Sequence, residues 1–282
     1  MSENINKISV IAKPYIEKIF NEVFKIIEND LGALIKNHPE FNESFRYLSI
    51  FEVRISRIIH GILDLLLKDN LYSCKILLRP LIEHTLKLDY LIQKSLSDKN
   101  DNIFKEYALF CDLYEELQYQ KSLDFKSKIL TGEEIDEVAF QDLIKRRPEI
   151  KEYSRNKIIE KANQFTFRNI FKYLNENHEY DFINSSDEKM KKSYKTYLQI
   201  GSLYSDLSSF IHGGTFADGF ELKIQLDKEI NDFEIIDISE YVVIMNFYAS
   251  IAFIGFCNTL ENKYDENIKR VVDYQLEYYK KI

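Results

Sequence analysis

Residues 241–257, YVVIMNFYASIAFIGFC, carry no charged side chain. Whatever fold this chain adopts must keep that run away from water, because exposing it would forfeit its apolar burial. The run is 17 residues long, short of the roughly 20 that a spanning helix needs, and Asn246 and Ser250 interrupt it. It therefore predicts a helix covered on all sides inside a soluble core, and no membrane segment.

The rest of the chain agrees with a helical interior. Only 8 Gly and 4 Pro occur in 282 residues, too few punctuators for a turn-rich β protein. The expectation is an all-α chain, a multi-helix bundle of long antiparallel helices. Helices are expected from Pro14 to Ile35, from Pro39 to about Lys68, from Leu71 to about Lys94, and from Ile103 to Ser127. The Asp69-Asn70 link is so short that the second and third should form an antiparallel hairpin. Residues 128–150 read as a charged loop with a short helix, Glu133 to Lys145, and 151–184 as short helices with an Asn-rich break. Ser185 to Glu188 offer an N-cap for a helix ending at His212, with Gly213-Gly214 as the stop and open backbone beside it. FELKIQL and FEIIDI, near residues 220–236, alternate like a small β-hairpin. An amphipathic helix closes the chain over Asp265 to Lys280. With no repeat or linker, a single domain over 1–282 is expected. Its parts are an N-terminal helix (1–37), a helical core (40–127), an irregular insertion (128–184) and C-terminal helices (185–282).

The net charge of −8 excludes a broad basic face for duplex DNA, while a local groove for RNA stays open. Cys74, Cys111 and Cys257 form no CxxC pair, as expected of free thiols in a reducing compartment. The opening MSENINKISV lacks a basic segment followed by an apolar run, so a cytoplasmic protein without a secretion signal is expected.

Two helices concentrate polar groups on otherwise apolar surfaces. Lys75, Arg79 and Glu83 recur every four residues and stack on one face of the third helix. Leu and Ile surround them, so each charge needs a partner. Pro80 removes one backbone bond beside them and should kink the helix. Tyr204, Ser208 and His212 repeat the same spacing on the later helix, with Tyr197 and Gly201 on the same side. His212 stands at a helix C-terminus, where the dipole favours its charged form. One reading makes Arg79, Glu83, Ser208 and His212 catalytic, with Lys75 and Tyr204 binding substrate. The other makes the same residues an internal network that fixes helix register.

SCKILLRPLIEHTLKLDYLI, joined to YSDLSSFIHGG further on, resembles a family of bacterial helical proteins of unknown function. Its members share an R-x-x-x-E helix and a later Y-x-x-x-S-x-x-x-H helix, and several sit near phage-defence genes. The resemblance spans roughly residues 50–260 and marks Arg79, Glu83, Tyr204, Ser208 and His212. Pro80 departs from its pattern. A weaker resemblance is to HEPN ribonucleases, helical dimers that cleave RNA through an R-x4–6-H motif, matched here by RISRIIH (Arg54 to His60) and RPLIEH (Arg79 to His84). It implies a ribonuclease, with arginine holding phosphate and histidine acting as acid or base. Both copies fall inside helices, where ordinary packed histidines are the plainer reading.

No HExxH, Glu-x-x-His pair, glycine-rich phosphate loop or GxSxG elbow is present, so neither metal nor cofactor is expected. The short basic runs, such as Lys145-Arg146-Arg147, read as solvated faces or anion contacts. The functional expectation is an antiviral-defence (abortive infection) effector. It would be a homo-oligomer whose Arg/Glu/Ser/His pocket binds or cleaves RNA or a nucleotide. The alternative is a non-catalytic helical sensor or scaffold that binds a partner protein from the same defence system.

Overall fold

In the computed structural model, residues 3–132, 136–177, 197 and 199–281 are described. All regular structure among them is helical, as the composition requires. The helices are α1 (Glu3–Asn29), α2 (Leu31–Asn37), α3 (Asn42–Leu66), α4 (Leu71–Asp98), α5 (Asn102–Thr131), α6 (Asp136–Arg146), α7 (Arg155–Asn163) and α8 (Phe167–Asn177). They are followed by α9 (Tyr204–His212), α10 (Thr215–Leu226), α11 (Lys228–Glu261) and α12 (Asp265–Tyr279). Single 3-10 turns at Pro39–Phe41 and Pro148–Ile150 lead into α3 and follow α6.

The uncharged run lies in the middle of α11, which spans 34 residues. By length and composition α11 passes as a membrane span, but 83% of its most apolar window is buried inside the protein. The first, third, fourth and last helices supply that cover: α11 packs on α1, α3, α4 and α12. Phe247, Phe253 and Phe256 are fully buried, and the Phe256 ring meets Phe41 and Phe45 edge-on.

The α3–α4 hairpin forms as expected. Ser44 bonds Ser95, Phe51 packs on His84, and Cys74 donates to the Ile62 carbonyl, so the two helices run antiparallel. Asn70 caps α4 by accepting the Ser73 N–H. The helix continues through Pro80 to Asp98.

A second, smaller apolar cluster joins α5 to α6 and α7 through Phe110, Leu113, Leu117, Phe140, Leu143 and Ile158. Arg146 and Arg147, part of the basic run, are paired with Glu116 and Asp112 on α5.

The expected β-hairpin near 220–236 is not formed: these residues lie in α10 and α11. Asp227 explains the outcome. Its side chain accepts the N–H groups of Glu229 and Ile230 and starts α11, which turns the supposed hairpin loop into a helix cap. Ala217, Phe220 and Ile224 then face inward at helical spacing, while Leu222 and Leu226 point outward. The expected cap at Ser185 to Glu188 lies outside the described residues, as does Glu133. The helix ending at His212 begins anew at Tyr204 after a turn at Leu203.

Candidate functional site

The site begins with helix α9, which runs antiparallel to α4. Tyr72 near the start of α4 donates to the Phe210 carbonyl near the end of α9, and Tyr204 at the start of α9 reaches Arg79 and Glu83 two to three turns further along α4. Gly213 ends α9 with φ +64°, a left-handed conformation that glycine adopts without strain. The open backbone expected there is spent: Gly214 N–H donates to the Ser209 carbonyl, and Ala217 N–H to the Ser209 hydroxyl.

Tyr204 is the hub of the polar network. Its hydroxyl accepts from the Arg79 guanidinium at 3.0 Å and donates to Glu83 Oε2 at 3.1 Å. Lys87 Nζ donates to the other oxygen of Glu83 at 3.2 Å. No direct ion pair joins Arg79 to Glu83; the tyrosine hydroxyl stands between them. Burial pushes the Glu83 carboxyl up, but Lys87 and the Tyr204 hydroxyl outweigh it and hold the group below its ordinary value. Burial, with Glu83 adding to it, raises the Tyr204 phenol. The network is thus an ionised carboxylate clasped by a lysine and a protonated phenol.

The ring of Tyr204 is gripped as firmly as its hydroxyl. Phe167 stacks on it with centroids 3.7 Å apart and planes 9° apart, and the Arg79 guanidinium carbon lies 4.5 Å from its centroid. Phe171 continues the stack at 5.6 Å from Phe167. The stretch before α9 can approach Phe171 because residue 201 is glycine; a Cβ there would fall 2.3 Å from the Phe171 ring.

These aromatics floor an open cleft of about 730 Å³ between α8 and α9. Arg168 and Lys172 from α8 and Ser202, Ser205 and Ser208 from the facing stretch complete its lining. Across Glu83 lies a second cavity of about 220 Å³, walled by Glu83, Lys87, Tyr107, Cys111 and Phe165 among others.

The six sequence-selected residues thus fall into two groups. Arg79, Glu83 and Tyr204 meet. Lys75 and Ser208 make other contacts, and His212 stands apart. Lys75 pairs with Glu234 on α11 and lies over the Phe220 ring. Ser208 lines the cleft but donates its hydroxyl to the Tyr204 carbonyl at 3.2 Å. His212 is exposed, with no hydrogen bond or ion pair among the described residues. The two R-x4–6-H histidines are both packed against rings. His60 stacks on Phe20, and His84 sits edge-on to Phe51. Burial, helped by Lys87 and Arg54, lowers His84 to about 4, which leaves it neutral.

Lys87, Asp89, Phe167 and Phe171 were not singled out from sequence. Asp89 is buried, accepts from Tyr197 at 3.0 Å and from Gln93 at 3.0 Å, and is pushed by burial to about 7. The Tyr197 link to α4 therefore parallels that of Tyr204. The sequence signal for Lys87 and Asp89 was present in KLDYLI, two charges within an apolar stretch that must find partners. Phe167 and Phe171 gave no such signal, since an i, i+4 aromatic pair is ordinary on any buried helix face.

The sequence model of a family described as a family of unknown function (DUF5677) matches residues 45–221. No curated protein and no solved structure matches the chain.

Proposed function

We propose that this chain, which belongs to the family of unknown function DUF5677, binds RNA or a nucleotide in the cleft between α8 and α9. The observation that carries the reading is the lining of that cleft. Arg168 and Lys172 stand one turn apart, next to the Ser205 hydroxyl, which makes no hydrogen bond among the described residues, and a stacked aromatic floor, on a chain whose net charge is −8. Cations and hydroxyls are the groups that hold phosphate and ribose, and the volume falls within the range of ligand pockets. Arg168 has no ion-pair partner among the described residues. Lys172 is 3.9 Å from Glu176, a loose exposed contact that a phosphate would displace.

In this reading Arg79 and Glu83 hold Tyr204 in place and do not touch the ligand. Cleavage of RNA needs an acid or base near the phosphate. Neither His84 nor His212 is among the residues lining the cleft, and the Ser208 hydroxyl is spent on its own helix. The geometry therefore favours binding over cleavage, and the ribonuclease likeness of the R-x4–6-H stretches contributes no role to the site. The reading also takes the protein to be soluble and cytoplasmic, supported by the burial of α11. A place in bacterial antiviral defence is proposed on the likeness of the two helical motifs alone. The rival reading, a sensor or scaffold without a nucleic-acid ligand, draws support from the internal pairing of the Tyr204 network.

Fluorescence anisotropy with a labelled single-stranded RNA and with a labelled nucleotide separates these readings. Arg168→Glu with Lys172→Glu should lose binding to both probes while keeping the helical spectrum. No binding by the wild-type chain, or undiminished binding by the variant, would rule out the cleft as the site. Plaque counts on cells expressing the wild type and the variant test the defence role separately.

A further inference from the structure

Two cavities adjoin at the start of α8. Thr166 lines both of them, and the Tyr204–Glu83 hydrogen bond runs from a wall of the α8–α9 cleft to a wall of the smaller cavity. The smaller one holds about 220 Å³, below the roughly 300–1,000 Å³ of pockets for drug-sized ligands. It has room for one planar ring system and not for a whole nucleotide. Tyr107, Tyr114 and Phe165 wall it with aromatic surface, of the kind on which unpaired bases stack.

Two of its polar side chains are unspent. The Glu115 carboxylate and the Asn163 carboxamide make no hydrogen bond or ion pair among the described residues. Glu83, the other carboxylate of the lining, has its oxygens committed to Tyr204 and Lys87. The Lys87 ammonium, on a side chain 11% exposed, gives one N–H to Glu83 and keeps its others. Burial pushes the Cys111 thiol up to about 11; Lys87 opposes that rise and Glu115 adds to it, so both charges lie within electrostatic reach of one point in the cavity wall.

We propose that this cavity takes the guanine base of a nucleotide whose phosphates lie against Arg168 and Lys172. Guanine is the one common base whose Watson–Crick edge carries two adjacent donors, N1–H and N2–H, beside an acceptor, O6. A free carboxylate accepts both donors at once, and ammonium and carboxamide N–H groups suit O6 and N7. Adenine and cytosine would turn a ring-nitrogen lone pair on Glu115, and uracil offers it a single donor between two carbonyls. Thr166 directly precedes α8, and from it to Lys172 is about 9 Å at the helical rise, a span for the sugar and phosphates to cover. The proposal rests on the nucleotide reading of the cleft and adds the identity of the base.

Calorimetric titration of the full chain with guanosine, adenosine, GDP and ADP tests it. The wild type should bind guanosine at least about tenfold tighter than adenosine, the discrimination of one good bidentate contact, and GDP tighter than guanosine. Glu115→Gln should lose most of that preference, and Asn163→Leu should weaken guanosine binding. Both positions are exposed, so the thermal melt should not move. Arg168→Glu with Lys172→Glu should lose the gain from phosphate and keep the preference for guanosine. Equal affinity for the two nucleosides, or a preference that survives Glu115→Gln, would overturn the proposal. In that case, GDP and ADP binding alike to the wild type, and lost in the charge variant, would leave the cleft reading standing. No binding of any of the four would overturn both.

Discussion

The Tyr204 ring lies flat against that of Phe167, 3.7 Å away and tilted by 9°, while its hydroxyl is held from α4 by Arg79 and Glu83. One side chain thus ties three helices, α4, α8 and α9, by two kinds of force. The stack fixes where the ring lies, and the hydrogen bonds fix its direction. A charged pair beside a core would be costly if either member lost its partner; here a neutral phenol serves both members at once.

Tyr204→Phe separates these two forces. The ring and its stack remain, but Arg79 and Glu83 lose their shared partner. The expected cost is about 1–3 kcal/mol, the range for leaving a partly buried polar group unsatisfied, read from urea unfolding at neutral pH. An unchanged midpoint would show that water replaces the hydroxyl without loss and that the network does not secure α9.

Gly201→Ala tests the approach of the chain to Phe171. A methyl group 2.3 Å from that ring must push it aside, and Phe167 and Tyr204 follow because they share the stack. Overpacking of this kind costs about 1–3 kcal/mol. The variant should melt lower and bind the RNA probe more weakly than wild type. Full stability and full affinity together would mean that the stack neither supports the fold nor shapes the cleft.

His212→Ala should leave both the melt and RNA binding unchanged, to within about 0.5 kcal/mol. The side chain is exposed and makes no hydrogen bond or ion pair among the described residues. Loss of an RNA-cleaving activity in this variant, with its fold intact, would restore His212 to the reaction and displace the binding-only reading.

Glu52 sets a pH dependence of stability. It is fully buried on α3, neither carboxylate oxygen has a hydrogen-bond partner among the described residues, and burial raises it to about 8. Between its ordinary value of 4.5 and that raised value, the folded chain holds a proton that the unfolded chain has released. Stability from this group is therefore complete below about 4.5 and is lost as pH rises through about 8. Asp89, raised to about 7, acts in the same direction. Glu52→Gln should flatten the fall of stability between pH 5 and 8 by up to about 1.4 kcal/mol per pH unit. Parallel pH profiles for variant and wild type would show that Glu52 is ionised in the folded chain.

Much of this architecture follows from local chemistry that a sequence displays. The uncharged run at 241–257 could only be a covered helix, Asn70 and Gly213 mark helix ends by their capping chemistry, and Arg79 and Glu83 on an apolar face demanded partners. What the sequence left open is which partner each charge takes. Spacing places groups on a face of one helix but says nothing of the offset between two helices. That offset, fixed by core packing, brings Tyr204 to Arg79 and Glu83, sends Lys75 to Glu234, and leaves His212 at the surface. The hairpin near 220–236 failed for a related reason. An alternating pattern is compatible with strand or helix, and the choice fell to the Asp227 cap and to the core that received Ala217 and Phe220. The cleft is a tertiary feature throughout: Arg168, Lys172 and the serines converge only because α8 packs on α4 beside α9. Faces and caps are written in the order of the residues, whereas partners depend on how helices distant in the chain pack together.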